Sequence, residues 1–211
     1  MSKQWMLGVG FAFLVSVSGY AADVEVTETV RALGASEAQA GVNFKTSCEA
    51  WETAAKADAG EAVLYASCGG EEISPLQTET VTEECGDYVY PGGNVVYMCY
   101  PKYTKNRPYG FIAVSLGKVL LNVSGDYGVI TDKVLGTKGV CSVSGGTACL
   151  TAREQAVASF NTKCTAFKAN AKKSFGTRFL YASCGKSTNV GGAKEETAFQ
   201  YQGEGVIYYK K

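Results

Sequence analysis

The sequence predicts an α+β protein: two internally duplicated units of helix plus antiparallel sheet, stapled by disulfides. Three observations carry this reading. The hexapeptide LYASCG stands at residues 64–69 and again at 180–185. Around it, residues 39–69 match residues 155–185 without a gap, with 15 identities in 31 aligned positions, more than shared composition produces. All eight cysteines follow a segment with the form of an export signal, and an even count in that setting reads as a disulfide framework for an oxidising compartment.

Taken in order, residues 1–21 form the expected signal peptide. Lys3 supplies the positive start, Trp5 to Val17 the apolar run, and Gly19 and Ala21 the small residues before a cleavage. No other apolar run approaches the roughly 18 residues of a membrane helix, so no membrane span is expected after cleavage. DVEVTETV, from Asp23, alternates as a short strand. Each copy of the duplication then opens as a helix, with a capping-box form at Ser36-x-x-Gln39 and at Thr151-x-x-Glu154. Phe44, Cys48, Trp51 and Ala55 recur at i, i+4, i+7 and i+11, as do Phe160, Cys164, Phe167 and Ala171, so each set lies on one helical face. Gly60 and Gly176 end the helices. AVLYASC and RFLYASC follow as strands, with Leu64, Ala66 and Cys68 expected on one face, and Leu180, Ala182 and Cys184 likewise.

Length fixes the first pairing. The helix runs roughly 15 Å from Cys48 to Asp58 at 1.5 Å per residue, and the strand returns roughly 20 Å from Ala62 to Cys68. Cys48 therefore meets Cys68, and Cys164 meets Cys184 in the same way. Each closed loop contributes about 3 kcal/mol by constraining the unfolded chain. Cys85 and Cys99 lie equally far from Gly92 and close a hairpin across its Gly-rich turn. Cys141 and Cys149 flank the SVSGGTA loop and pair by economy. YPGGNVVYM (residues 90–98) resembles YQGEGVIYY (residues 201–209), and both read as hairpins. Residues 109–130 read as a hairpin plus a further strand. The expected organisation is a first unit over 22–135 (helix, strand, hairpins) and a second, shorter one over 136–211, together one pseudo-symmetric domain.

Composition limits the chemistry. With no histidine, the commonest general base, the Ser-His and Cys-His pairs and the commonest metal ligand are all missing. Lys plus Arg and Asp plus Glu balance at 20 each, which gives no reason to expect nucleic acid. No cofactor or metal motif appears, the cysteines lack paired zinc-ligand spacing, and the chain reads as a non-enzyme.

Two places could bind. Lys102, Tyr103, Lys105, Arg107 and Tyr109 interleave cations with aromatics over 101–110, a local pattern suiting an anionic glycan, phosphate or nucleic acid. The 91–94 turn carries Tyr88, Tyr90, Tyr97 and Tyr100 around it. The copies also differ in sign. Residues 37–70 carry five acidic and two basic side chains, whereas 153–186 carry one acidic and seven basic. Such opposed faces join one molecule to the next or attract within the chain. The expectation is an exported structural or interaction protein of the bacterial envelope or exterior, periplasmic or extracellular. It would work through protein–protein contacts with a partner or itself, including self-assembly. The alternative is a secreted binding or inhibitory module that uses the 101–110 loop or the 91–94 turn.

Overall fold

A computed structural model describes residues 15–17, 22–76, 79–105, 108–141, 147–191 and 198–211. Its elements run β1 (Val15–Val17), β2 (Ala22–Gly34), α1 (Glu37–Ala59), β3 (Val63–Cys68), β4 (Glu72–Leu76), β5 (Glu79–Val89), β6 (Val95–Lys105) and β7 (Gly110–Val123). They continue β8 (Tyr127–Leu135), β9 (Gly139–Val140), α2 (Thr147–Phe175), β10 (Phe179–Ser183), β11 (Ser187–Asn189), β12 (Ala198–Phe199) and β13 (Tyr201–Lys210).

The two units share one plan. In the first, β7 is central, with β2 on one side and β3 then β4 on the other, all antiparallel to it. In the second, β13 is central, with β8 on one side and β10 then β11 on the other. Each sheet carries its own helix. Ser36 caps α1, its Oγ accepting the Gln39 N–H at 3.2 Å. Both helices end at a glycine of positive φ, Gly60 at 55° and Gly176 at 52°, a conformation that costs glycine least. Phe44 and Ala55 are buried on α1, and Phe160, Cys164 and Ala171 on α2. Burying each phenylalanine contributes about 1.5–3 kcal/mol. Midway along each helix an aromatic ring lies flat on a glycine of the central strand. A Cβ on Gly117 would come within 2.6 Å of Trp51, and one on Gly205 within 2.7 Å of Phe167.

That pair of contacts identifies the true partner of GVIYY. It is GKVLL of β7 (residues 117–121), because Ala66 pairs Val119 as Ala182 pairs Ile207. The expected hairpin at 201–209 is therefore one continuous strand, and only 90–94 turns. Likewise the hairpin plus strand expected over 109–130 is one long strand, Gly110–Val123, which passes under Trp51 at Gly117, followed by β8 in the other sheet. Tyr127–Leu135, assigned on sequence to the first unit, pairs with β13 and occupies in the second sheet the place of β2 in the first.

Two further expectations shift. Helix α2 starts at Thr147, four residues before the Thr151 capping box, because Cys149 and Leu150 of its first turn are buried in the core. The register slips at Leu64 and again at Leu180, a bulge common to both LYASCG copies that breaks strict alternation. Leu64 is thus 51 % exposed and does not share the buried side of Ala66, whereas Leu180 is covered by the neighbouring unit. The cysteines pair Cys48–Cys68, Cys85–Cys99, Cys141–Cys149 and Cys164–Cys184.

Candidate interaction surfaces

The units meet along β2 and β10, which run side by side in the same direction. The Thr29 N–H donates to the Gly185 carbonyl at 3.1 Å, the Ser187 N–H to Thr29 Oγ1 at 2.9 Å, and Ser183 Oγ to the Thr27 carbonyl at 3.3 Å. At the centre lies Glu28, buried. Its carboxylate accepts Lys168 Nζ at 3.0 and 2.8 Å and Ser183 Oγ at 3.2 Å, and it touches the Cys164 sulfur at 3.3 Å. Beyond it, Lys172 Nζ stands 3.8 Å from Asp58. Of these two pairs, Lys172–Asp58 joins the acidic copy to the basic one, whereas Glu28 lies on β2 before the acidic copy begins. Helices α1 and α2 flank a cleft of about 380 Å3 above this strand, between Trp51 and Asp58 on one side and Lys168 and Lys172 on the other.

One end of the joint is an arginine–tyrosine cluster. Arg31 lies over the Tyr201 ring at 4.2 Å and donates to the Ser187 carbonyl at 2.7 Å. Burial lowers its pKa to about 10, with Tyr201 opposing and Arg153 assisting the shift. Arg153 donates to the Tyr201 hydroxyl at 2.9 Å and to the Tyr109 hydroxyl at 3.4 Å. Burial acts to lower its pKa too, yet Tyr201 and Tyr109 carry it above the ordinary value. The cluster clamps the start of β7 to the second unit. Sequence reading missed it. Arg31 alternates with Val30 and Ala32 as a charge on a solvated strand face does, so local pattern gave no signal of its burial.

Tyr109, expected in the 101–110 binding loop, is therefore a core residue. Lys102 pairs with Glu84 across β5 and β6 at 2.8 Å. The side chains of Tyr103 and Lys105, and all of Arg107, lie outside the described residues.

The turn at 91–94 has a different setting. It caps β5–β6, an arm whose strands make their substantial contacts only with each other and supply no described residue to the hydrophobic cores. Eleven-residue strands extend it by roughly 35 Å at 3.3 Å per residue. Its base is closed by the Tyr109 N–H on the Leu76 carbonyl at 2.8 Å, and its middle by Cys85–Cys99. At the tip the Tyr90 N–H donates to the Asn94 carbonyl, and Gly92 and Gly93 take φ of 118° and 87°. From Tyr88 to Tyr100 there is no charged residue. Tyr88, Val89, Tyr90, Val95, Val96 and Tyr97 are all exposed, Tyr97 to 68 %. By the register, Tyr88, Val96 and Tyr100 share one face and Val89, Val95 and Tyr97 the other.

Three groups of acidic and cysteine side chains come close enough to suggest metal ligation: Glu28 with Cys164 and Cys184, Glu52 with Cys48 and Cys68, and Glu83 with Cys85 and Cys99. In each, both sulfurs are bonded to one another and offer no thiolate, which leaves one carboxylate per group. No described helix is long and apolar enough to cross a membrane. Comparison with protein-family models, curated proteins and solved structures finds no match to this chain.

Proposed function

We propose that this is an exported, non-enzymatic interaction protein of the bacterial envelope or exterior, acting through protein–protein contacts, with the β5–β6 arm as its contact element. The observation that carries the reading is the arm's uncharged, aromatic tip, held away from every core by a disulfide-stapled stem. A two-stranded hairpin is marginal in water by itself, so a staple on a segment with no described residue in a core supports a role in presentation. Tyrosines with few rotamers lose little entropy when a partner covers them, and they dominate contact sites for that reason. The Lys172–Asp58 pair takes up part of the charge contrast between copies, and Glu28 of β2 engages Lys168 of the basic copy, which favours the arm over the opposed helical faces as the contact surface.

The test places a photo-crosslinking side chain at Val96, on the face it shares with Tyr88 and Tyr100, in the exported, non-reduced protein. The expected result is a discrete adduct that disappears when Tyr88→Ser, Tyr90→Ser and Tyr100→Ser are combined. An adduct of twice the chain mass would identify the partner as a second copy. No discrete adduct from the arm, or one that survives the triple change, refutes the assignment.

A further inference from the structure

The joint between the units has a twin in the first unit, and the twin is open. Shifting by 116 residues maps Asn161, Cys164, Thr165 and Lys168 of α2 onto Lys45, Cys48, Glu49 and Glu52 of α1. The same shift maps Ser183, Gly185 and Ser187 onto Ser67, Gly69 and Glu71. In the second unit this surface receives β2, and Tyr181, Ser183 and Cys184 are fully buried. In the first unit no described strand pairs with the outer edge of β3. Tyr65 is 41 % exposed there, and Ser67 and Gly69 are exposed as well. Where that edge ends, between α1 and residues 68–71, lies a groove of about 610 Å3, lined by Phe44, Cys48, Glu49, Cys68, Gly69 and Glu71 among others.

We infer that this groove receives an extended strand of a partner protein, laid parallel along β3 as β2 lies along β10. The strand carries Lys or Arg at the position where β2 carries Glu28. Backbone groups at a sheet edge bind any extended chain, and side-chain chemistry selects among them. Here the chemistry is inverted relative to the filled twin. Lys168, which holds Glu28, becomes Glu52; Thr165 and Ser187 become Glu49 and Glu71; only the change of Asn161 to Lys45 runs the other way. Glu52 is held beside the edge by accepting the Cys68 N–H at 2.9 Å, the place from which it would meet an incoming cation. A second copy does not fit. Its counterpart of β2 is β8, whose outer edge already pairs with β1 over Tyr127–Val129 and which by the matching registers would bring Asp132 against Glu52.

The test uses two labelled 13-residue peptides, one copying β2 (Ala22–Gly34) and one with Glu28→Lys, titrated into the non-reduced protein by fluorescence anisotropy. The Lys peptide is expected to bind about tenfold tighter or better and to shift the backbone amide signals of Lys45–Glu52 and Ser67–Gly69. Glu52→Gln keeps the acceptor for Cys68 and is expected to abolish most of that preference. Glu49→Lys, on the exposed helix surface, is expected to reduce it without touching the core. Equal affinity for both peptides, preference for the Glu peptide, no binding at millimolar concentration, or signal shifts confined to other residues would each overturn the inference. None of those outcomes bears on the arm, which takes no part in the groove.

Discussion

Replacing Lys168 tests whether its pair with Glu28 locks the two units together. The Glu28 side chain is 9 % exposed and Lys168 18 %, with 2.8 Å between Nζ and Oε2. Removing one member of a fully buried pair costs about 3–5 kcal/mol, because the other charge is left without its counter-charge in a poor solvent. Solvent reaches part of Lys168, and Ser183 Oγ still donates to Glu28, so Lys168→Met is expected to cost about 2–4 kcal/mol. In a chain of this size that lowers Tm by roughly 5–15 °C. Glu28→Met with Lys168→Met together removes both desolvation costs and is expected to fall within about 1 kcal/mol of the parent. The assay is thermal and urea unfolding of the non-reduced protein, followed by circular dichroism at low and high salt. A Lys168→Met cost below about 0.5 kcal/mol that salt erases is the behaviour of a surface pair. It would refute the claim that this pair locks the units, and would leave the opposed faces for contacts between molecules.

Three further outcomes follow from the same geometry. Cys85→Ser with Cys99→Ser is expected to leave the Tm of the body within about 2 °C, since the arm joins no core, while arm amides lose their protection in hydrogen exchange; a large fall in body stability would contradict that. Gly117→Ala drives a methyl into Trp51 and is expected to cost about 1–3 kcal/mol, with a shifted tryptophan emission; an unchanged emission and stability would show that the ring is free to move. Tyr181 is fully buried with no partner for its hydroxyl among the described residues, and burial, then the charges of Glu28 and Asp58, raise its pKa above the ordinary tyrosine value. The stability tied to it is present below about pH 10 and is lost as pH rises past that, when the unfolded phenol ionises and the folded one does not. Tyr181→Phe is expected to flatten that alkaline loss and to gain about 1 kcal/mol at neutral pH, as read by unfolding curves across the alkaline range; a destabilised variant with an unchanged alkaline slope would contradict it.

The duplication shows how far local pattern reaches. Phe44, Cys48, Trp51 and Ala55 repeat at helical spacing, and a strand of known rise returns along that helix. Helix faces and the Cys48–Cys68 and Cys164–Cys184 pairings were therefore readable, because both depend on short-range geometry alone. The Cys85–Cys99 pairing was readable for the same reason, through its symmetric distance from a Gly-Gly turn. Long-range neighbours were not. YQGEGVIYY resembles a hairpin in its letters, and only the approach of Phe167 to Gly205 makes it the central strand of a sheet. Tyr109 sits in a basic, aromatic stretch of sequence, and its burial is decided by Arg153, 44 residues away.

By itself the sequence determined the α+β class, the two stapled units and their opposite charge, since each follows from spacing and composition within a few tens of residues. Tertiary structure decided how the units join. Identical LYASCG strands meet different fates because β2 covers one edge and no described strand covers the other, so Ser183 is buried while Ser67 is exposed. Which edge is filled depends on the packing of distant surfaces, a quantity that no local pattern records.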